Sequence, residues 1–139
     1  MVTNRLLRRY LDGERGFTLI ELLVVISLIV LLASISLVMY QNSVQRGREA
    51  VLKEDLFRMR DAIDQHYADK GKYPASLEDL VSAGYLRKVP VDPMTQSATT
   101  WQTVPAEPDP ANLTVEPGIY NVQSGAEGQA LDGSKFSEW

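Results

Sequence analysis

The chain has 139 residues, 14 Lys and Arg against 18 Asp and Glu, a formal net charge of −4 and no cysteine. That length allows one small domain once a membrane segment is set aside, and the missing thiols exclude disulfides and thiolate metal sites. Arg5, Arg8, Arg9 and Arg15 all precede the main apolar run, so the remainder is more acidic than the total and nucleic acid is not an expected partner.

The first sixteen residues, MVTNRLLRRYLDGERG, carry the positive charge of a signal n-region but no apolar core of their own. Residues 15–39, RGFTLIELLVVISLIVLLASISLVM, then supply an apolar stretch long enough to cross a bilayer. A secretory signal would place its cut near Ala33-Ser34-Ile35-Ser36, but the run is longer than the roughly 7–15 residues of an h-region. A cut between Gly16 and Phe17 instead removes the basic leader, keeps the apolar helix and creates a new amine at its tip. The arginines belong on the cytoplasmic side, which sends the C-terminus outward. Glu21 lies close to the start of this stretch. A charge inside a membrane helix costs roughly 2.5–3.5 kcal/mol on insertion scales, so it asks for a partner or a function.

Beyond Met39 the pattern becomes one-sided. Leu52, Leu56, Met59, Ile63 and Tyr67 step by helical intervals, with charged residues on the other faces and no proline before Pro74. The spacing predicts one helix running on to about Lys70, some fifty residues or ~80 Å at 1.5 Å each, stopped by Gly71 with Lys70 and Lys72 near its negative end. Pro74 to Leu80 reads as a turn and a short helix with Ser76 as N-cap, Gly84 as terminator, and Leu77, Leu80 and Val81 as the buried side. Residues 85–94, YLRKVPVDPM, are too proline-broken for a central strand and read as an ordered loop. Thr100–Val104 and Gly118–Ser124 are predicted as two strands of a small antiparallel sheet packed on the long helix, separated by a linker with Pro105, Pro108, Pro110 and Pro117.

Arg15-Gly16-Phe17-Thr18-Leu19-Ile20-Glu21 resembles the processing site of type IV pilins and type II secretion pseudopilins. In that family a membrane peptidase cuts after the glycine and methylates the new terminal amine, which the resemblance places at Gly16 and at the nitrogen of Phe17. Glu21 matches the family's assembly glutamate. In a filament core of packed apolar helices an unpaired carboxylate is costly, and a neighbouring subunit's terminal ammonium, here that of Phe17, offsets the cost and fixes the axial register. The competing reading is that Glu21 snorkels to the headgroups.

The blocks GKYPASLEDLVSAGYLRKVPVDPMTQ, at 71–96, and Ser124-Gly125 to Ser137-Glu138-Trp139 resemble the major, G-type pseudopilin more than a pilus pilin, and the resemblance covers most of the mature chain. Adhesive pilins of the better-known type close a C-terminal loop with a disulfide, which this chain cannot form. The implied fold is α+β and pilin-like: a long N-terminal helix, half membrane-spanning and half amphipathic, on a small domain with a short helix and a small antiparallel sheet. The implied organisation is a cleaved leader at 1–16, a transmembrane and filament-core helix at 17–39, and a periplasmic domain at 40–139.

Two departures bear on that family. Members often carry a helix-bending proline near the middle of the membrane segment, whereas Val38 stands about there, so no local melting of the helix is expected. Many G-type pseudopilins hold calcium in an aspartate-rich C-terminal loop. The corresponding residues here offer only Glu127, Asp132 and Glu138, which Ser134, backbone carbonyls and water would have to supplement to reach six to eight oxygens. The alternative for Asp132-Gly133 is a plain glycine turn.

Enzymatic readings find little support. His66 lies on the helical stripe, Asp61, Asp64 and Asp69 form a solvated face, and there is no phosphate loop, nucleophile elbow or metal-ligand cluster. The expected role is a homopolymerising subunit of a type II secretion pseudopilus in the bacterial inner membrane. It would span once, with its N-terminus cytoplasmic and its domain periplasmic. The resemblance implies as partners a prepilin peptidase, an inner-membrane platform, its ATPase and minor pseudopilins. The alternatives are the major pilin of a surface pilus and a membrane-anchored periplasmic binding module that never polymerises.

Overall fold

A computed structural model describes Gly16 and residues 18–114 and 116–139. Its elements are α1 (Leu19–Lys70), α2 (Leu77–Ser82), β1 (Gln102–Pro105), β2 (Ile119–Gln123) and a closing 3-10 turn (Phe136–Glu138), the α+β order expected. Two compact units divide the chain, Met1–Gln41 and Asn42–Trp139.

In the first unit every described residue is exposed, including each large apolar side chain from Leu19 to Tyr40. No proline enters α1, and Val38 sits in unbroken helix. The hydroxyls of Ser27, Ser34 and Ser36 donate to the carbonyls of Leu23, Val30 and Leu32, four residues back, at 2.8, 2.7 and 2.9 Å. The helix thus satisfies its own polar groups, as a bilayer requires. Among the described residues it is the one helix long and apolar enough to cross a membrane.

In the second unit α1 becomes amphipathic. Leu52, Leu56, Met59, Ile63 and His66 are buried, with Ala62 beside them, at steps of four, three, four and three. The fifth position is therefore a correction to the expected stripe: Tyr67 is 46% exposed and His66 only 4%. A further step of three keeps to the inward line, whereas a step of four carries Tyr67 to the edge, where it stacks on Tyr73 with ring centroids 4.4 Å apart. Gly71 ends the helix at φ +66°, its N–H donating to Tyr67 O at 2.8 Å.

Ser76 caps α2, its hydroxyl accepting from Asp79 N at 3.2 Å, and Gly84 follows at φ +85°. Leu77 and Leu80 are buried, whereas Val81, expected beside them, is only half-buried at the margin. The proline-broken segment is irregular, as its composition demands, and is held by an Asp92–Ser97 bridge. The strands pair antiparallel, Gln102 opposite Gln123 and Val104 opposite Asn121, with an irregularity at Val104/Pro105. β1 begins later than expected: Thr100 has its hydroxyl on that of Thr95 at 2.5 Å instead. β2 is a residue shorter at each end than predicted.

Trp101, Ile119, Val122, Ala126, Ala130 and Phe136 complete the core against the α1 stripe, Leu77 and Leu80. Full burial of such side chains contributes about 1.5–3 kcal/mol each for the larger ones. Half-buried Arg60 ties the assembly together, donating to Asn121 Oδ1 (2.7 Å), Val122 O (2.9 Å) and Trp139 O (2.6 Å). Gly125 is required by close approach, since a Cβ there would collide with the carbonyl oxygen of Thr100.

Candidate functional site

The residues singled out at the head of α1 are Gly16, Phe17 and Glu21; Phe17, and with it the cut and the methylated nitrogen, lies outside the described residues. At Gly16 no described residue lies within 4 Å of where a Cβ would stand. Glu21 is exposed on the first turn of α1. Its Oε2 accepts from Thr18 N at 3.4 Å while its own N–H donates to Thr18 Oγ1 at 3.3 Å. This is a capping box, in which two helix-start donors are satisfied reciprocally and the carboxylate sits at the positive end of the helix dipole. The signature T-x-x-E stands in residues 18–21, and a reading of Glu21 through its membrane cost alone passes over it.

The C-terminal acidic residues form a turn rather than a cation cage. Asp132 Oδ1 accepts from Ser134 N (2.9 Å) and Ser134 Oγ (2.6 Å), and Gly133 takes φ +86°. Ser134 Oγ also accepts from Trp139 Nε1 at 2.7 Å, so its oxygen is already engaged. Glu127 and Glu138 are exposed, and no three His, Cys, Asp or Glu gather as a metal would need among the described residues. The donor set does not fit calcium.

The buried polar groups are structural anchors that the sequence pattern does not mark. Asp92 is fully buried: its Oδ1 accepts from Met94 N at 2.7 Å and its Oδ2 from Ser124 Oγ at 2.5 Å. Burial pushes the nearby Asp55 carboxyl above its usual value, Arg58 opposes this, and Glu54 and Asp92 add to it. His66 places Nδ1 2.9 Å from Lys72 O and meets Tyr85 edge-on at 5.4 Å. Tyr85 donates to Asp69 Oδ2 at 2.8 Å, and that bond raises its phenol pKa, burial adding to it. Asp61 accepts from Gln65 Nε2 at 2.7 Å.

The family model described as Prokaryotic N-terminal methylation motif matches residues 11–37. The chain is similar to the type II secretion system core protein G of Escherichia coli K12, 31% identical over 101 residues, 61% of this chain and 70% of that protein. It is 29% identical to the fimbrial protein EcpC of Eikenella corrodens over 126 residues, 87% of this chain and 78% of the relative. A type IV major pilin protein PilE1 of Neisseria gonorrhoeae matches at 37% over 73 residues, 51% of this chain and 41% of the pilin. No solved structure matches the chain. With its methylation motif at the head of an exposed apolar helix and an α+β domain after it, the chain belongs to the type IV pilin-like superfamily that includes the type II secretion core protein G.

Proposed function

We propose that this chain is the structural subunit of a type II secretion pseudopilus, cut after Gly16, methylated on Phe17 and polymerised through its N-terminal helix. The observation that carries this reading is Glu21: a carboxylate at the head of an exposed apolar helix, held among the described residues by its own Thr18. In the bilayer that local cap keeps the carboxylate satisfied at the headgroup level. In a filament the terminal ammonium of a neighbouring Phe17 takes its place, and apolar packing of residues 19–39 supplies most of the free energy while the ion pair fixes the register. The methylation motif matched over residues 11–37 favours recognition by another protein, a prepilin peptidase, as the reason for glycine at Gly16. Before assembly the chain spans the inner membrane once, arginines inside, and its partners are the assembly platform, its ATPase and minor subunits. The reading is structural rather than enzymatic. The likeness to core protein G of E. coli and of Pseudomonas aeruginosa, 31% identical each over 61% and 58% of this chain, favours the secretion filament.

The likeness to EcpC over 87% of the chain supports a second reading, the major subunit of a surface pilus. Electron microscopy of intact cells at native expression separates the two, since long surface fibres belong to the pilus.

The assembly mechanism is tested with Glu21→Val, Glu21→Gln and Glu21→Asp, measuring sheared filament yield at matched subunit levels. Glu21→Val should insert into membranes at least as well as wild type yet give no filaments, because it removes both the charge cost and the pairing. Glu21→Gln should assemble poorly and Glu21→Asp partially. Normal polymerisation of Glu21→Val would reduce the carboxylate to a helix cap.

A further inference from the structure

Gln45, Glu49, Lys53 and Arg60 occupy one side of α1 by helical spacing, next to the buried stripe. Each reaches toward the last eleven residues or supports a neighbour that does. Glu49 Oε1 accepts from Leu131 N at 2.9 Å and from Gln45 Nε2 at 3.1 Å. Lys53 Nζ lies 4.2 Å from the ring centroid of Trp139, and Arg60 donates to Trp139 O at 2.6 Å. The indole meets Phe136 edge-on at 5.3 Å and donates to Ser134 Oγ, whose proton points to Asp132.

We infer that Lys53 fastens the C-terminal segment to α1 without a metal, so that this domain folds without calcium. A bound cation in such a loop neutralises carboxylates and ties distant backbone together. Here the ammonium supplies the positive charge, the indole receives it through its ring face, and a relay from Trp139 through Ser134 reaches Asp132. The Asp132 carboxyl is held below its usual value, first by the Ser134 hydroxyl, with Lys53 acting in the same direction. A calcium ion would have to take Asp132 from Ser134 and Ser134 from Trp139, undoing the fastening that is already made. The inference holds for a secretion filament and a surface pilus alike, since it concerns the domain and not its export role.

The test is thermal unfolding of the full chain in detergent, followed by near-ultraviolet circular dichroism, in millimolar calcium chloride and in excess EGTA. Wild type should melt at the same temperature in both. Lys53→Gln should melt about 3–6 °C lower in both, and Lys53→Arg, which keeps a cation over the ring, should recover most of the loss. Trp139→Leu combined with Lys53→Gln should cost less than the sum of the two, because they remove one interaction. A rise of several degrees with calcium in wild type, or an unchanged midpoint in Lys53→Gln, overturns the inference.

Discussion

Residues 19–41 and 42–70 are turns of the same helix, yet they meet opposite demands. The first stretch exposes every side chain and hides its serine hydroxyls on its own carbonyls. The second buries one line of residues and spends its polar groups on distant chain, as Arg60 does on Asn121, Val122 and Trp139. What distinguishes them is where the missing contacts come from. The domain supplies its own, and the apolar half is left for lipid or for other copies of itself. Helix alone says nothing about stability; the partner of its apolar face does.

Paired substitutions sharpen this contrast. Leu52→Ala empties a fully buried site and should destabilise the domain by about 2–5 kcal/mol. Leu31→Ala, at a position 58% exposed, should leave the domain's unfolding midpoint where it was. Equal losses from the two would break the division between the halves. Next in size, Gly125→Ala should cost about 1–3 kcal/mol, because its Cβ must displace the Thr100 carbonyl and so part the segment before β1 from the segment after β2. Denaturant unfolding measures both. The smallest effect has the opposite sign. Gln96 holds φ +58° in the turn closed by its N–H to Asp92 O, so Gln96→Gly should stabilise the domain by about 1 kcal/mol.

The parts legible in the sequence are those written in neighbouring residues. The stripe from Leu52 to Ile63, the stop at Gly71, the Ser76 cap and the antiparallel pair all follow from spacing, glycine and capping chemistry. His66 is the instructive near miss. Both it and Tyr67 read as belonging to the stripe, and spacing alone assigns the fifth position to Tyr67, yet a ring nitrogen with a backbone carbonyl to meet can be buried, while a tyrosine can stack at the surface. Asp92 with Ser124, and Lys53 with Trp139, leave no trace in any local window because their partners lie tens of residues away. At the candidate site the processing motif is plain in the sequence, and so is the capping box of Thr18 and Glu21, once residues 18–21 are read as a helix start and not only as a membrane entry.

The reach of Arg60 sets a timetable. Its three acceptors lie 61, 62 and 79 residues downstream, and Ile119, Val122, Ala126, Ala130 and Phe136 of the core come from the same late stretch. The membrane helix can wind as soon as it is synthesised, since all its bonds are local, but the domain cannot close until residue 139 has been made. Through that interval Leu52, Leu56, Met59 and Ile63 are only partly covered on a finished helix, the kind of surface that captures other unfolded chains. A nascent subunit of this design is therefore vulnerable until residues 119–139 have joined α1, and a chain truncated before Ile119 should be cleared by proteolysis rather than accumulate as a shortened fold.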